Sequence, residues 1–457
     1  MLSFNRMDTD RSSKNRIQLS DHFTYRRLFA FVLPTIANMI FLSVYGIIDG
    51  LFISNCVGKV AFASVNVVFP IFSVLGVFGL MVGTGGSAII GKTLGEQKPE
   101  KANGYFSFFV YACIIIGVIM AVLGMFVLRP AIRLLGVEPD MIDPCMEYGI
   151  IGMFTVPCFM LQFLFQILFV TAEKPRLGFW ITISAGITNI VLDFFFVYLF
   201  HWGVAGAAVA TDISEVVGGI VPLIYFVRPN NSLLQIGRPD VDFRALLKAC
   251  TNGLSELVST VSESVVSMLY NFQLLRIAGS DGVAAFGVME YCTFIFFAIF
   301  AGYNMGVQPL FSYNYGADNR DEMKNLFRKS IILMEGFGLV MLALLFFFAR
   351  PLVSVFVGYD ADLVDLTVHG IRIYSLLFIT CGIQIFATGM FTALNNGLVS
   401  AICATVRVVV CEISSVMILP IFFGLNGIWC SAPVAEAGSI LVVFFFVIRL
   451  RRRYGYA

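Results

Sequence analysis

The sequence predicts an all-α polytopic membrane protein, with twelve transmembrane helices in two pseudo-symmetric six-helix bundles. Three observations lead there. Hydrophobic residues make up 58% of the 457, charged residues only 13%, and mean hydropathy is +0.87; a soluble domain carries about 25% charged residues. The apolar residues fall into twelve stretches, each long enough for the roughly 20 residues that a bilayer crossing requires. The two halves of the chain also repeat at one constant offset. The 41 Gly fit the same class, since Gly is commoner in membrane helices than in soluble ones. With 30 Lys and Arg against 29 Asp and Glu, the chain offers no basic field for nucleic acid.

A basic, polar arm occupies residues 1–27. The first apolar run begins near Leu28 and is too long for the core of a signal peptide, so it is expected to remain as span 1. Cutting at charged or Pro/Gly-rich breaks gives spans at 28–54, 61–91, 104–128, 147–172, 178–200 and 204–227. A polar linker at 228–245 follows, then spans at 246–276, 282–311, 328–349, 367–393, 398–422 and 427–448, and a basic tail at 449–457. An N-lobe of 28–227 and a C-lobe of 246–448 are therefore expected. The ten Cys include no C-x-x-C pair and mostly sit in apolar stretches, where free thiols act as small hydrophobes.

A shift of 221 residues carries Gly58 onto Gly279, Gly95 onto Gly316 and Arg129-Pro130 onto Arg350-Pro351. It also carries Thr171-Ala172 onto Thr392-Ala393, Gly203 onto Gly424 and Glu215 onto Glu436. Six spans per half is an even number, so both copies enter from the same side. The repeats are parallel, related by an axis along the membrane normal, with a cavity between the bundles. Counting Lys and Arg by side gives 23 on the face with both termini and 5 on the other. The positive-inside rule then places both termini in the cytoplasm.

Residues 86–93, GSAIIGKT, match the phosphate-binding loop literally. That chemistry needs a strand before the loop and a soluble helix after it, whereas an apolar span precedes it here. Nucleotide hydrolysis is not supported. Nor is any other enzyme: a membrane prenyl transferase would need a cluster such as D-D-x-x-D, and none occurs.

Ionisable residues inside spans are costly unless paired or wet, which makes them functional candidates. Span 1 has Asp49, with Gly46 and Gly50 beside it. Span 5 has Asn189 and Asp193 one turn apart, and span 6 has Ala207 and Thr211, with Asp212 and Glu215 beyond. Two carboxylates, an amide oxygen and a hydroxyl suit a hard cation or a shared proton. Glu256 and Glu263 lie seven apart on span 7, followed by Tyr270, Asn271 and Gln273. Arg407 and Glu412, five apart, read as an internal ion pair. Met39, Tyr45, Phe69, Phe165, Met268, Met289 and Phe296 suit either an adaptable pocket for apolar cations or a lipid-facing surface.

Over essentially its full length the chain resembles the multidrug and toxic compound extrusion (MATE) family of secondary transporters. The stretches that carry the resemblance include LPTIANMIFLSVYGIIDGLFIS, TGGSAIIGKTLGEQ, TAEKPRLGFWITISAGITNIVLDFFF, HWGVAGAAVATDISE and NMGVQPLFSYNYGADN. The resemblance implies two six-helix lobes exporting organic cations or drugs in exchange for sodium ions or protons. It implies a cation site at Asp49, Asn189, Asp193 and Thr211 with the Ala207 carbonyl, those residues being the sodium ligands if sodium is the coupling ion. Tyr45, Glu256, Glu263, Asn271 and Gln308 are the substrate-cavity candidates. Span 10 offers Gln384 where one branch of the family has an aspartate, which argues against a C-lobe sodium site. No cofactor is expected beyond the coupling ion, and the expected partners are small amphipathic or cationic molecules and the lipid bilayer, with the chain acting as a monomer. The alternative is a flippase for lipid-linked oligosaccharides of the same superfamily, which calls for a basic cavity where this chain is mainly acidic. A plain channel fits two parallel repeats less well than a rocking pump does.

Overall fold

The computed structural model describes residues 17–134, 137 and 139–457, and these are helical with no strand among them. Arg6, Arg11, Lys14 and Arg16, counted above in the basic arm, lie outside the described residues. Nine of the helices are long and apolar enough to cross a bilayer, and two bent pairs add one crossing each. The twelfth comes from Leu254–Gly316, 63 residues long. As one straight helix this would reach about 95 Å at 1.5 Å per residue, against a hydrocarbon core of about 30 Å. It breaks at Gly279, whose φ of 66° and ψ of −150° leave the helical region and divide span 7 from span 8.

Span 1 is Tyr25–Phe52, span 2 Lys59–Gly95 and span 3 Pro99–Leu134. Span 4 is bent by 61° between Pro139–Met153 and Val156–Thr171; span 5 is Pro175–Asp193 and span 6 Gly203–Val227. Span 9 is Arg320–Phe347, span 10 bends by 41° before Cys381–Ala393, span 11 opens with Gly397–Thr405 and span 12 is Leu425–Tyr454. Single π turns follow span 1 (Ile53–Val57) and span 5 (Phe194–Leu199), and another interrupts span 11 (Val406–Glu412).

Three expected boundaries move. Span 12 runs on to Tyr454, so the basic tail is its last turns, and Tyr456 beyond it is fully buried against the C-lobe. The linker is folded onto span 3: Gln235 and Gly237 donate backbone N–H groups to Asn103 Oδ1 (2.8 Å) and Ser107 Oγ (2.9 Å). It ends in a short helix, Phe243–Asn252, capped by Asp242. The arm's residues 17–24 are packed between the lobes, with Leu19 and Phe23 fully buried.

The backbone obeys the 221-residue shift. Gly58 and Gly279 both have positive φ, as do Gly203 and Gly424, and Gln97 and Asp318. Contacts between the lobes follow it too. A Cβ on Gly95 would lie 2.1 Å from the Tyr313 carbonyl, and one on Gly316 would lie 2.0 Å from the Lys92 carbonyl. These contacts exchange under the shift, so the pseudo-two-fold axis passes between them. Gly85 against Gly253 and Gly306 against Val32 are a second exchanging pair. Among the described residues, every glycine that packs one lobe against the other lies in the half of the molecule that carries the termini. The lobes are closed against each other at that end.

Large apolar side chains such as Phe126, Leu134, Val355 and Ile421 are at least three-quarters exposed, as the outer surface of a lipid-solvated bundle requires. Each lobe keeps its own aromatic core: Phe106, Phe165 and Phe226 cluster in the N-lobe, and Tyr270 stacks on Phe286 at 4.6 Å in the C-lobe.

Candidate functional site

Spans 1, 5 and 6 pack on one another in the N-lobe and bring the predicted oxygen ligands together. Asp49 lies within hydrogen-bonding reach of both Asp193 and Asn189. Asn189 and Asp193 are fully buried. One rotation of the Asn189 amide donates Nδ2–H to Thr211 Oγ1 at 3.3 Å. The other donates to Asp193 Oδ2 at 3.0 Å and accepts from the Thr211 N–H at 3.3 Å, which satisfies both ends of the amide. Oδ1 of Asp49 and Oδ1 of Asp193 are both buried with no hydrogen-bond partner. Ala207, one turn before Thr211, is fully buried.

Why the chain folds this way here is local. Asp193 stands immediately before one π turn and Asp49 one helical turn before another, and each π turn admits one extra residue and re-aims the side chains around it. Gly186, one turn before Asn189, lets span 1 close in: a Cβ there would sit 2.7 Å from Phe41. Two acidic groups that face each other, with orphaned oxygens and no basic side chain between them, are unstable as a dianion. A proton shared between the carboxylates or a cation bound by them removes the conflict. Among the described residues no three His, Cys, Asp or Glu side chains converge as a transition-metal centre would need. The oxygen donors present fit a hard monovalent cation or a proton instead.

Sequence reasoning missed the contribution of span 4. Tyr148 is buried, with its hydroxyl within hydrogen-bonding reach of Thr211. Thr155, at the span's bend, donates to Asp212 Oδ1 at 2.9 Å and is within reach of Glu215. A Thr at a bend was the available signal, since such a residue offers a hydroxyl to neighbouring helices. Tyr45, on span 1, faces Asp49 and is within hydrogen-bonding reach of Ser214.

The C-lobe candidates are less concentrated. Glu256 and Asn271 are half-buried, Glu263 is exposed and Gln308 is buried. Phe165 and Met289 belong to the packed cores, whereas Phe69 and Met268 are exposed. The ion pair expected between Arg407 and Glu412 is corrected: Arg407 Nε donates to Glu436 Oε1 on span 12 at 2.6 Å. Five residues turn through about 140° on an α-helix, so that spacing alone does not place the two side chains on one face. Gln384 donates to Glu436 and accepts from Ser439 Oγ at 2.8 Å. It is thereby committed to this network.

The phosphate-loop look-alike is helical throughout, inside span 2. Lys92 reaches Glu96 at 3.5 Å and lies over the Tyr315 ring. Glu96, at the surface beyond the span, is held below the usual carboxylate range, first by its hydrogen bond from Lys98 and then by the Lys92 charge.

The MatE family model matches the chain twice, over residues 34–195 and 257–418, one match in each lobe. The multidrug export protein MepA of Staphylococcus haemolyticus is 25% identical over 430 residues, 94% of either chain. That of Staphylococcus saprophyticus is 26% identical over 432 residues, again 94% of either. Among solved structures, a MATE protein in complex with MaL6 superposes with a TM-score of 0.89 at 19% identity, covering 95% of this chain and 98% of that one. An outward-facing multidrug resistance MATE family transporter of the MOP superfamily gives 0.88 at 20% identity, covering 94% and 96%.

Proposed function

The chain belongs to the MatE family of membrane transporters, and from that premise we propose that it is a secondary active antiporter. It exports organic cations or drugs in exchange for sodium ions or protons, by alternating access between two lobes. The observation that carries this reading is the facing pair Asp49 and Asp193, each with an orphaned buried oxygen and no basic partner. Asn189, Thr211 and the Ala207 carbonyl complete the oxygen shell when the ion is sodium.

Exchange follows from competition. An ion entering from the open face neutralises the pair, which weakens the hold on an organic cation, and the two ligands prefer different conformations. Tyr45 borders this charge, while Glu256, Glu263, Asn271 and Gln308 supply the C-lobe side of the substrate path. The relatives named as multidrug export proteins support the substrate class. The chain works as a monomer in the plasma membrane, with both termini cytoplasmic by its Lys and Arg distribution. The closed end is then cytoplasmic and the conformation outward-facing.

Ethidium efflux from energised vesicles, with sodium and pH gradients imposed separately, tests activity and coupling together. Efflux driven by one gradient in the parent chain and lost in Asp49→Asn supports the reading. Equal efflux in both, at equal expression, would overturn the coupling assignment. A Cys at position 457 should be labelled only from the cytoplasm and one at position 360 only from outside; the reverse pattern would overturn the orientation.

A further inference from the structure

Residues 17–24 form a strap, with a turn at 18–21, across the closed end of the molecule, and it is bonded to both lobes. On the N-lobe side, the Leu19 N–H donates to Glu173 Oε1 at 2.7 Å, in the turn between spans 4 and 5. On the C-lobe side the contacts are denser. The Phe23 N–H donates to Glu322 Oε1 at 3.0 Å, and His22 Nδ1 lies 2.5 Å from Glu322 Oε2. The Phe23 carbonyl accepts from Asn325 Nδ2 at 3.0 Å and from Lys329 Nζ. Asn314 Nδ2, at the end of span 8, donates to the Leu19 carbonyl at 3.5 Å. Leu19 and Phe23 are fully buried, and Glu322 is only 5% exposed.

The asymmetry of attachment sets the mechanics. The strap continues covalently into span 1, so it must travel with the N-lobe. Its bonds to Glu322, Asn325, Lys329 and Asn314 cross to the C-lobe and must break if the lobes part at this end. Glu322 is the centre of that set: it accepts from a backbone N–H, from His22 and from Asn325 Nδ2 at 2.7 Å. It also sits in the first turn of span 9, where the helix dipole favours its charge.

We propose that the strap 17–24 is a latch on the closed end, with Glu322 as its catch and Leu19 and Phe23 as its apolar plugs. Release of the catch is the step that admits substrate between the lobes from this face. The proposal rests on the alternating-access reading and adds a part to it.

The test places a reporter thiol under the latch. Ser312 is fully buried at the lobe junction, against Gly91 of the other lobe. Ser312→Cys, in protein reconstituted into nanodiscs so that both faces are reached, is reacted with a membrane-impermeant maleimide. Its rate is read above that of the chain with its native thiols alone. In Glu322→Gln the rate should rise about tenfold, the shift expected when a charge-assisted hydrogen bond is lost from one of two states. Phe23→Ala, which leaves Glu322 chemically intact, should raise it in the same direction and serves if Glu322→Gln does not fold.

Labelling unchanged within about twofold in the folded variants, when saturating ethidium does expose the thiol in the parent, would overturn the latch and leave alternating access standing. A thiol that reacts in no variant and under no condition would overturn both.

Discussion

Asp193→Asn should make the protein more stable and inactive at once. Asp193 is fully buried, its Oδ1 has no partner, and it faces a second carboxylate, Asp49. A buried acceptor left unsatisfied costs about 1–3 kcal/mol, and more when charged. Asn has the same shape and carries no charge, so the substitution removes the repulsion without opening a cavity. In buffer lacking sodium, at a pH where no proton neutralises the pair, the variant should gain about 1–3 kcal/mol. For a cooperative unit of 150–250 residues that is about 2–4 °C per kcal/mol.

Adding the coupling ion should reverse the order. The parent gains RT ln(1 + [L]/Kd), about 2.7 kcal/mol at a hundredfold excess over Kd, and the variant gains little. The assay is thermal unfolding of purified protein in detergent, in sodium chloride against choline chloride and at pH 5.5 against pH 8. If Asp193→Asn melts lower than the parent in ion-free buffer, and neither sodium nor acid stabilises the parent more than the variant, the carboxylate is a packing element and the argument fails.

Asn189→Ala and Thr211→Ala should abolish efflux if sodium is the coupling ion and spare most of it if a proton is; efflux under separate gradients reads the difference. Arg407→Met should destabilise by about 3–5 kcal/mol, because Glu436, only 7% exposed, loses its ion-pair partner, whereas Arg407→Met with Glu436→Met should recover most of that. Equal melting temperatures for the single and double variants would count against the pair. Lys92→Ala should leave transport nearly intact, since this Lys pairs with Glu96 at the surface; loss of efflux at normal expression would reopen the phosphate-loop question. Gly85→Ala should drive the closed end apart, because its Cβ would lie 1.9 Å from the Ala249 carbonyl of the other lobe. Labelling of a thiol at Ser312 measures this directly, and an unchanged rate would mean that the junction yields elsewhere.

The sequence by itself determined the class, the number of crossings and the parallel repeat. Burial in lipid demands long apolar runs with internally satisfied backbones, and that demand is local enough to read from composition and span length. The 221-residue offset was legible because equivalent turns need equivalent residues: Gly279 holds a left-handed break where Gly58 does, and Gly424 where Gly203 does. Asp49, Asn189, Asp193 and Thr211 stood out because charge and amide groups in a span are expensive and rare.

Tertiary structure decided which of them meet. Arg407 found Glu436 on another helix rather than Glu412 on its own, a pairing that no spacing along one helix encodes. Span 4 brought Tyr148 to Thr211, and its bend brought Thr155 to Asp212, contacts that no spacing along one helix encodes. The arm read as basic and polar, yet Leu19 and Phe23 are wholly buried between the lobes, with Phe23 bonded to Glu322 some three hundred residues away in sequence. Period and composition specify what each helix exposes to lipid. Pairing between helices is set by which surfaces fit at the junction, and that is a property of the assembled bundle alone.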